Sequence, residues 1–146
     1  TKFCTTITPV LPLLEQHGVN LSLETDLPPA PYKALLMRLG SPRITVNYVT
    51  GNSASLGYDP AEELAAYGDR VSDVHIKDRV KGGGSVVLGT GDTDFDTFFL
   101  ALRKTLFSGP FIMQAFRDDE GLEIFKKQLT WIRPKLEQWS RERSFD

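Results

Sequence analysis

The six residues Val74-His75-Ile76-Lys77-Asp78-Arg79 place an imidazole, an ammonium, a carboxylate and a guanidinium at the end of a short apolar run. Gly82-Gly83-Gly84 and then Leu88-Gly89-Thr90-Gly91-Asp92 follow. A site at a strand's carboxyl end has this form. In parallel α/β sheets the strand interior is buried on both faces, so polar chemistry collects where the strand stops and its loop begins. Glu24, the Gly51-Asn52 pair and Gln114 close three other strand-like segments in the same way. A carboxylate and an imidazole can move protons or hold a metal ion. The amide of Gln114 offers a carbonyl oxygen but no base near neutral pH.

The elements that would position these groups alternate along the chain. Thr8 to His17 carries Val10, Leu11, Leu13 and Leu14 at helical spacing and stops at Gly18. Strands are expected near residues 19–25, 44–49, 72–77 and 110–115. The first feeds a proline-rich loop and a helix through Tyr32, Leu35, Leu36 and Leu39, ended by Gly40. Thr50-Gly51-Asn52-Ser53 reads as a break after the second strand. Asp59-Pro60 then caps a short helix whose Glu62 and Glu63 suit the helix dipole. After the glycine loop, Asp94 or Asp96 caps a helix with Phe98, Phe99, Leu102 and Leu106. The last helix runs from Leu122 to about Trp139, with a kink expected at Pro134. Strand, loop and helix thus recur four times, which predicts a parallel sheet with sequential strand order and all polar strand ends on one side.

With 146 residues, 40% of them hydrophobic, the chain fits a single domain, 1–146, able to bury a core. A net charge of -2 gives no electrostatic case for nucleic acid. No apolar run approaches the roughly 20 residues of a membrane span, and Thr1-Lys2-Phe3-Cys4-Thr5 lacks the features of a signal peptide. The single Cys4 forms no internal disulfide, so a cytoplasmic location is expected.

In series, these segments resemble the xylose-isomerase-like barrels, which include sugar-phosphate isomerases and epimerases and the tagatose-type 3-epimerases. Leu21-Ser22-Leu23-Glu24-Thr25 looks like that family's strand with a metal-binding glutamate. Tyr48-Val49-Thr50-Gly51-Asn52-Ser53 is similar to its Asp-Thr-Gly-Asn element, and Val74-His75-Ile76-Lys77-Asp78 to its His-Ile-Lys-Asp strand. Leu88-Gly89-Thr90-Gly91-Asp92-Thr93-Asp94-Phe95 matches its Gly-x-Gly-x-x-Asp-Phe loop, and Gly109-Pro110-Phe111-Ile112-Met113-Gln114 its last strand. The resemblance implies a (βα)4 unit, the C-terminal half of a TIM (β/α)8 barrel that in full takes about 250 residues. Four strands close no barrel, so self-association or a missing N-terminal half is expected. The inner sheet face is expected to present Leu21, Val46 and Val74.

The resemblance also implies chemistry: proton transfer next to the carbonyl of a sugar or sugar phosphate. Glu24 and Gln114 stand at the catalytic positions, and Glu24, His75 and Gln114 at those for a Mn²⁺ or Mg²⁺ ion. Asn52, Lys77 and Arg79 would hold substrate oxygens or a phosphate. Two departures stand out. Val49 replaces an expected aspartate ligand, so metal binding should be weak or absent. Gln114 replaces a frequent glutamate base. A non-catalytic truncated relative or sugar-binding remnant is therefore the alternative. Each residue also has a plainer role: a hydrogen-bonded structural His75, a solvated Glu24, a local Lys77–Asp78 ion pair, helix caps at Asp92 and Asp94, and core packing for Trp131 and Trp139. An endonuclease-type barrel acting on abasic DNA shares the fold, but two histidines and a net negative charge argue against it.

Overall fold

A computed structural model describes residues 2–119 and 121–143, so the extreme ends of the expected 1–146 domain, Thr1 included, lie outside the described residues. The chain opens with helix α1 (Lys2–Ile7), a 3-10 turn at Thr8–Val10 and helix α2 (Leu11–His17). Helix therefore begins earlier than the spacing predicted and is interrupted where Pro9 and Pro12 withhold backbone N–H groups. Strand β1 (Leu21–Leu23), helix α3 (Pro29–Leu39) and strand β2 (Ile44–Val49) follow. The expected break after β2 is instead a helix, α4 (Thr50–Leu56), closed by Gly57 at φ 75°. Helix α5 (Pro60–Tyr67) leads to β3 (Val71–Ile76).

The glycine run is a hairpin turn: β4 (Asp78–Arg79) and β5 (Ser85–Val86) pair antiparallel around it. Helix α6 (Phe95–Leu102) is shorter than expected, because Leu106 already lies in the link to β6 (Phe111–Met113). Helix α7 (Leu122–Arg143) runs through Pro134. Its Gln128 is buried and bonds across the structure, accepting from Leu88 N at 3.1 Å and donating to Phe116 O at 2.8 Å.

The main sheet has the predicted form, four parallel strands in the order β1-β2-β3-β6. One face carries Leu23, Ile44, Val46, Tyr48, Val74 and Ile76 under the helices, where they meet Leu36, Leu64, Phe98, Leu102 and Ile132 in a single core. An aromatic layer extends that core toward α7, with Phe107 and Phe111 set edge-on to one another and Trp139 at 5.0 Å from Phe111. Trp139 thus joins the core, whereas Trp131 is 38% exposed and packs its edge on Phe95.

The expected apolar inner face is corrected here. Val46 and Val74 are 1% and 0% exposed in this chain alone, and with Leu21 they belong to the helix-covered side. Side chains alternate along a strand, so Glu24 on the inner face commits Leu21 and Leu23 to the outer one. Between Val46 and Asn47 the β2–β3 register shifts by one residue of β3, from Val46↔Val71 to Asn47↔Asp73. That bulge resets the alternation, so Val71 and Val74 both enter the core while Ser72, Asp73 and His75 face inward. The inner face is polar: Ser22 donates to Asp73 at 2.7 Å, Ser72 to Thr45 at 2.8 Å, and Asn47 to Glu24 at 3.3 Å.

Candidate active site

The parallel sheet brings the ends of β1, β2 and β3 side by side, and a chain of side-chain hydrogen bonds crosses them. Arg79 Nη1 donates to Asn52 Oδ1 at 3.0 Å, and Asn52 Nδ2 donates to Glu24 Oε1 at 2.8 Å. Asn47 Nδ2 reaches the other carboxylate oxygen, Oε2, at 3.3 Å. Each partner is positioned by local structure. Arg79 is fixed by donation from Nε to Gly83 O at 2.9 Å across the β4–β5 hairpin. Asn52 rides on α4, whose first residue is locked to the exit of β3: Thr50 Oγ1 donates to Lys77 O at 2.6 Å and accepts from Lys77 N at 2.9 Å. Gly51 permits this approach, since a Cβ there would lie 3.0 Å from Lys77 Cγ and 3.1 Å from Arg79 Cγ.

Three of the expected residues, Glu24, Asn52 and Arg79, are therefore joined in one network. His75, Lys77 and Gln114 stand on adjacent strand ends outside it. His75 is aligned with Val49 on one side and Ile112 on the other. Its Nε2 lies 3.6 Å from Asp73 Oδ2, and its Nδ1 is buried without a hydrogen-bond partner among the described residues. Gln114 is exposed and anchors β6 through its N–H, which donates to Ile76 O at 3.0 Å.

Sequence reasoning missed several polar residues. Asp78 is no ion-pair partner of Lys77. Its buried carboxylate accepts from Gly89 N and Gly91 N, both at 2.9 Å, and from Thr93 N at 3.1 Å. The Gly-Thr-Gly spacing follows from this: a Cβ at Gly91 would meet Asp78 Oδ1 at 2.4 Å, and one at Gly89 would meet Trp131 at 2.5 Å. Asp92 does not cap a helix but accepts from Lys81 N at 2.7 Å; Asp94 is the cap, accepting from Thr97 N at 2.9 Å. Asp73 and Asn47 were legible only by parity, two residues before His75 and Val49 on the same face. Glu63, whose place at a helix start suits the dipole, lies in the core. It is 3% exposed and accepts from Tyr48 at 2.7 Å, Tyr67 at 2.9 Å and Ser53 at 3.0 Å, and burial holds its carboxyl above the usual range. The tyrosines pay no such penalty while neutral, and burial followed by the Glu63 charge raises both Tyr48 and Tyr67.

The donors do not fit a divalent metal. Among the described residues no three His, Cys, Asp or Glu side chains converge on a common point. Val49, buried and apolar, occupies the place beside His75, and both oxygens of Glu24 already accept from amides.

The fold agrees with comparisons to known proteins. The family model described as xylose isomerase-like TIM barrel matches residues 1–135. The chain belongs to this family. Over 110 residues it is 29% identical to the putative L-ribulose-5-phosphate 3-epimerase SgbU of Escherichia coli (strain K12), covering 68% of this chain and 38% of that protein. Over 59 residues it is 37% identical to the L-ribulose 3-epimerase of Methylomonas sp. (strain DH-1), covering 40% of this chain and 19% of that one. The crystal structure of a xylose isomerase domain protein from Planctomyces limnophilus superposes with a TM-score of 0.78 at 22% identity, over 99% of this chain and 55% of that chain. The chain thus spans well under half the length of these curated relatives and about half of this structural neighbour. No helix among the described residues is long and apolar enough to cross a membrane.

Proposed function

We propose that this chain is the C-terminal, proton-transferring half of a sugar or sugar-phosphate isomerase or epimerase barrel, its substrate a ketopentose of the L-ribulose type. The Arg79–Asn52–Glu24 chain carries this reading. It holds a carboxylate exposed at the strand ends, oriented by neutral amides, with a guanidinium two bonds away. Glu24 takes the proton from the carbon beside the carbonyl, leaving an enediolate. Return to the neighbouring carbon isomerises the sugar; return to the same carbon from the other face, by an acid other than Glu24, epimerises it. Arg79 and Lys77 offer cationic hydrogen bonds to the developing oxyanion or to a phosphate. The metal-assisted form of this chemistry lacks its ligand set here, so no step is assigned to an ion. Among the described residues the outer edges of β1 and β6 are unpaired, and a first half of the barrel, or a second copy, closes them.

Val49 and Gln114 favour a second reading, a sugar-binding remnant without turnover. One experiment separates the two. L-ribulose and its 5-phosphate are incubated with the chain in D2O and deuterium at the carbon beside the carbonyl is followed by NMR, while shifts of the Asn47 and Asn52 side-chain amides are followed in a matched sample in H2O. Deuterium wash-in that Glu24→Gln abolishes supports the enzyme. Amide shifts without wash-in support the remnant, and neither signal removes both.

A further inference from the structure

Glu63 is used by no step above, yet it is a buried carboxylate close to the site. Both of its oxygens are engaged by hydroxyls alone, Oε2 by Tyr48 and Oε1 by Ser53 and Tyr67. No cation pairs with it among the described residues. Burial without a cation pushes a carboxylate toward its neutral form, and burial is the largest influence on Glu63. The groups facing it divide: Asp59 at the start of its own helix raises it further, whereas hydrogen bonds from Tyr48 on β2, Ser53 on α4 and Tyr67 on α5 favour the charged form; beyond Tyr67 lies Tyr32 from α3. From α6, apolar Phe98 stacks on Tyr48 at 5.2 Å.

Between this group and the site lies a cavity of about 20 Å³, lined by Glu24, Asn47, Asn52, Ser53, Tyr48 and Glu63 among others. That exceeds the roughly 10–15 Å³ needed for one water. A polar demand exists as well. Asn47 must turn its Nδ2 toward the carboxylate of Glu24, which only accepts, and its Oδ1 is left buried without a donor among the described residues.

We propose that this cavity holds an ordered water linking Glu24 to the hydroxyl-bound Glu63, so that Glu63 is a second proton-holding carboxylate of the site. The exchange balances without any further reactant. Protonated Glu24 gives its proton to the water, the water passes one to a hydroxyl of Ser53 or Tyr48, and that hydroxyl passes its own to ionised Glu63. The reverse path returns it. One proton is shared by two carboxylates, and neither hydroxyl changes its charge. The role rests on the proton-transfer reading of Glu24, but its test needs no sugar, so the two fail separately.

The test uses residues 1–146 with carbon-13 glutamate, each carboxyl carbon followed across the acid to mildly alkaline range. Glu63 is expected to titrate above the ordinary carboxylate range, and Glu24→Gln to lower its midpoint, because the linked negative charge is gone. Water-to-protein exchange peaks at the Asn47 side-chain amide are expected in the wild type and lost in Ser53→Val, which fills the cavity. An ordinary Glu63 midpoint, a midpoint that Glu24→Gln leaves unmoved in a folded protein, or absence of the water peak in wild type overturns the proposal.

Discussion

Asp78, just past the end of β3, is 1% exposed and takes three backbone N–H groups from one loop. Glu24, just past the end of β1, is exposed and among the described residues is held by the side-chain amides of Asn47 and Asn52. Both are carboxylates at strand ends on the same side of the sheet. Their partners divide their roles. Backbone donors of a closed loop cannot turn away, so Asp78 is committed to holding Gly89–Thr93 in place. Side-chain amides can release a carboxylate to a substrate hydroxyl at small cost, so Glu24 is free for chemistry. A strand end becomes a site when its charge is satisfied by exchangeable partners rather than by the fold.

The largest expected effect lies on the Asp78 side. Asp78→Ala removes the acceptor of three part-buried N–H donors at once, and the loss should reach about 3 kcal/mol of folding stability. Urea unfolding of the variant against wild type measures it. A loss below about 1 kcal/mol, within the range of ordinary single substitutions, would show that the loop finds other acceptors and that the contrast with Glu24 is not one of commitment.

This difference marks how far the sequence could be read. The parallel sheet and its order follow from apolar runs and turn residues that recur at βα spacing, and they appear as expected. Which face each strand residue takes was not legible on β3, because the bulge that resets the alternation between Val71 and Asp73 leaves no mark in residue types. The strand-end residues Glu24, Asn52 and Arg79 could be named because polar groups after apolar runs stand out. The partner of each could not be named, because Asp78 and Glu24 look alike in sequence and differ only in which donors the loops bring to them. Glu63 and Tyr67, four residues apart on one helix, carried a weak signal of mutual contact that the helix-dipole reading hid.

The next effect sharpens the Glu24 side. Val49 lies beside His75 on the inner face, and Val49→Asp adds a carboxylate to the donors already at the strand ends. Wild type is expected to bind Mn²⁺ weakly and Val49→Asp to bind it at least about tenfold more tightly, close to 1.4 kcal/mol. Calorimetric titration of both proteins, with circular dichroism to establish that the variant is folded, decides it. Equal affinities would mean that the strand ends do not converge as a ligand set even when the missing charge is restored.

Buried and exposed carboxylates should also differ in how stability responds to pH. Burial raises Glu63 above its ordinary value, so its contribution is fully present below the unfolded value and is lost as pH rises through the folded one. Asp94 has the opposite sign: hydrogen bonds from Thr97 lower it, so its contribution is present above the unfolded value and is lost as pH falls through the folded one. Glu63→Gln should flatten the decline that sets in as pH rises above the ordinary carboxylate range and leave the acid limb in place, whereas Asp94→Asn should do the reverse. Urea midpoints across pH test both. A decline above that range that persists in Glu63→Gln would assign it to another group.

The smallest stability effect is expected where the chemistry is expected to be greatest. Glu24 is exposed, and its loss frees two side-chain amides that can turn to water, so nothing buried is left charged. Glu24→Ala should therefore change folding stability by no more than about 0.5 kcal/mol. The same substitution removes the only carboxylate in the Arg79–Asn52 chain and should abolish deuterium wash-in if the chain turns over sugar. Paired measurements on one variant, urea unfolding and wash-in, thus ask whether structure and chemistry are separable at this residue. A loss as large as that of Asp78→Ala would place Glu24 among the groups the fold depends on, and its two amides would then be structural partners rather than the means by which a reactive carboxylate is held ready.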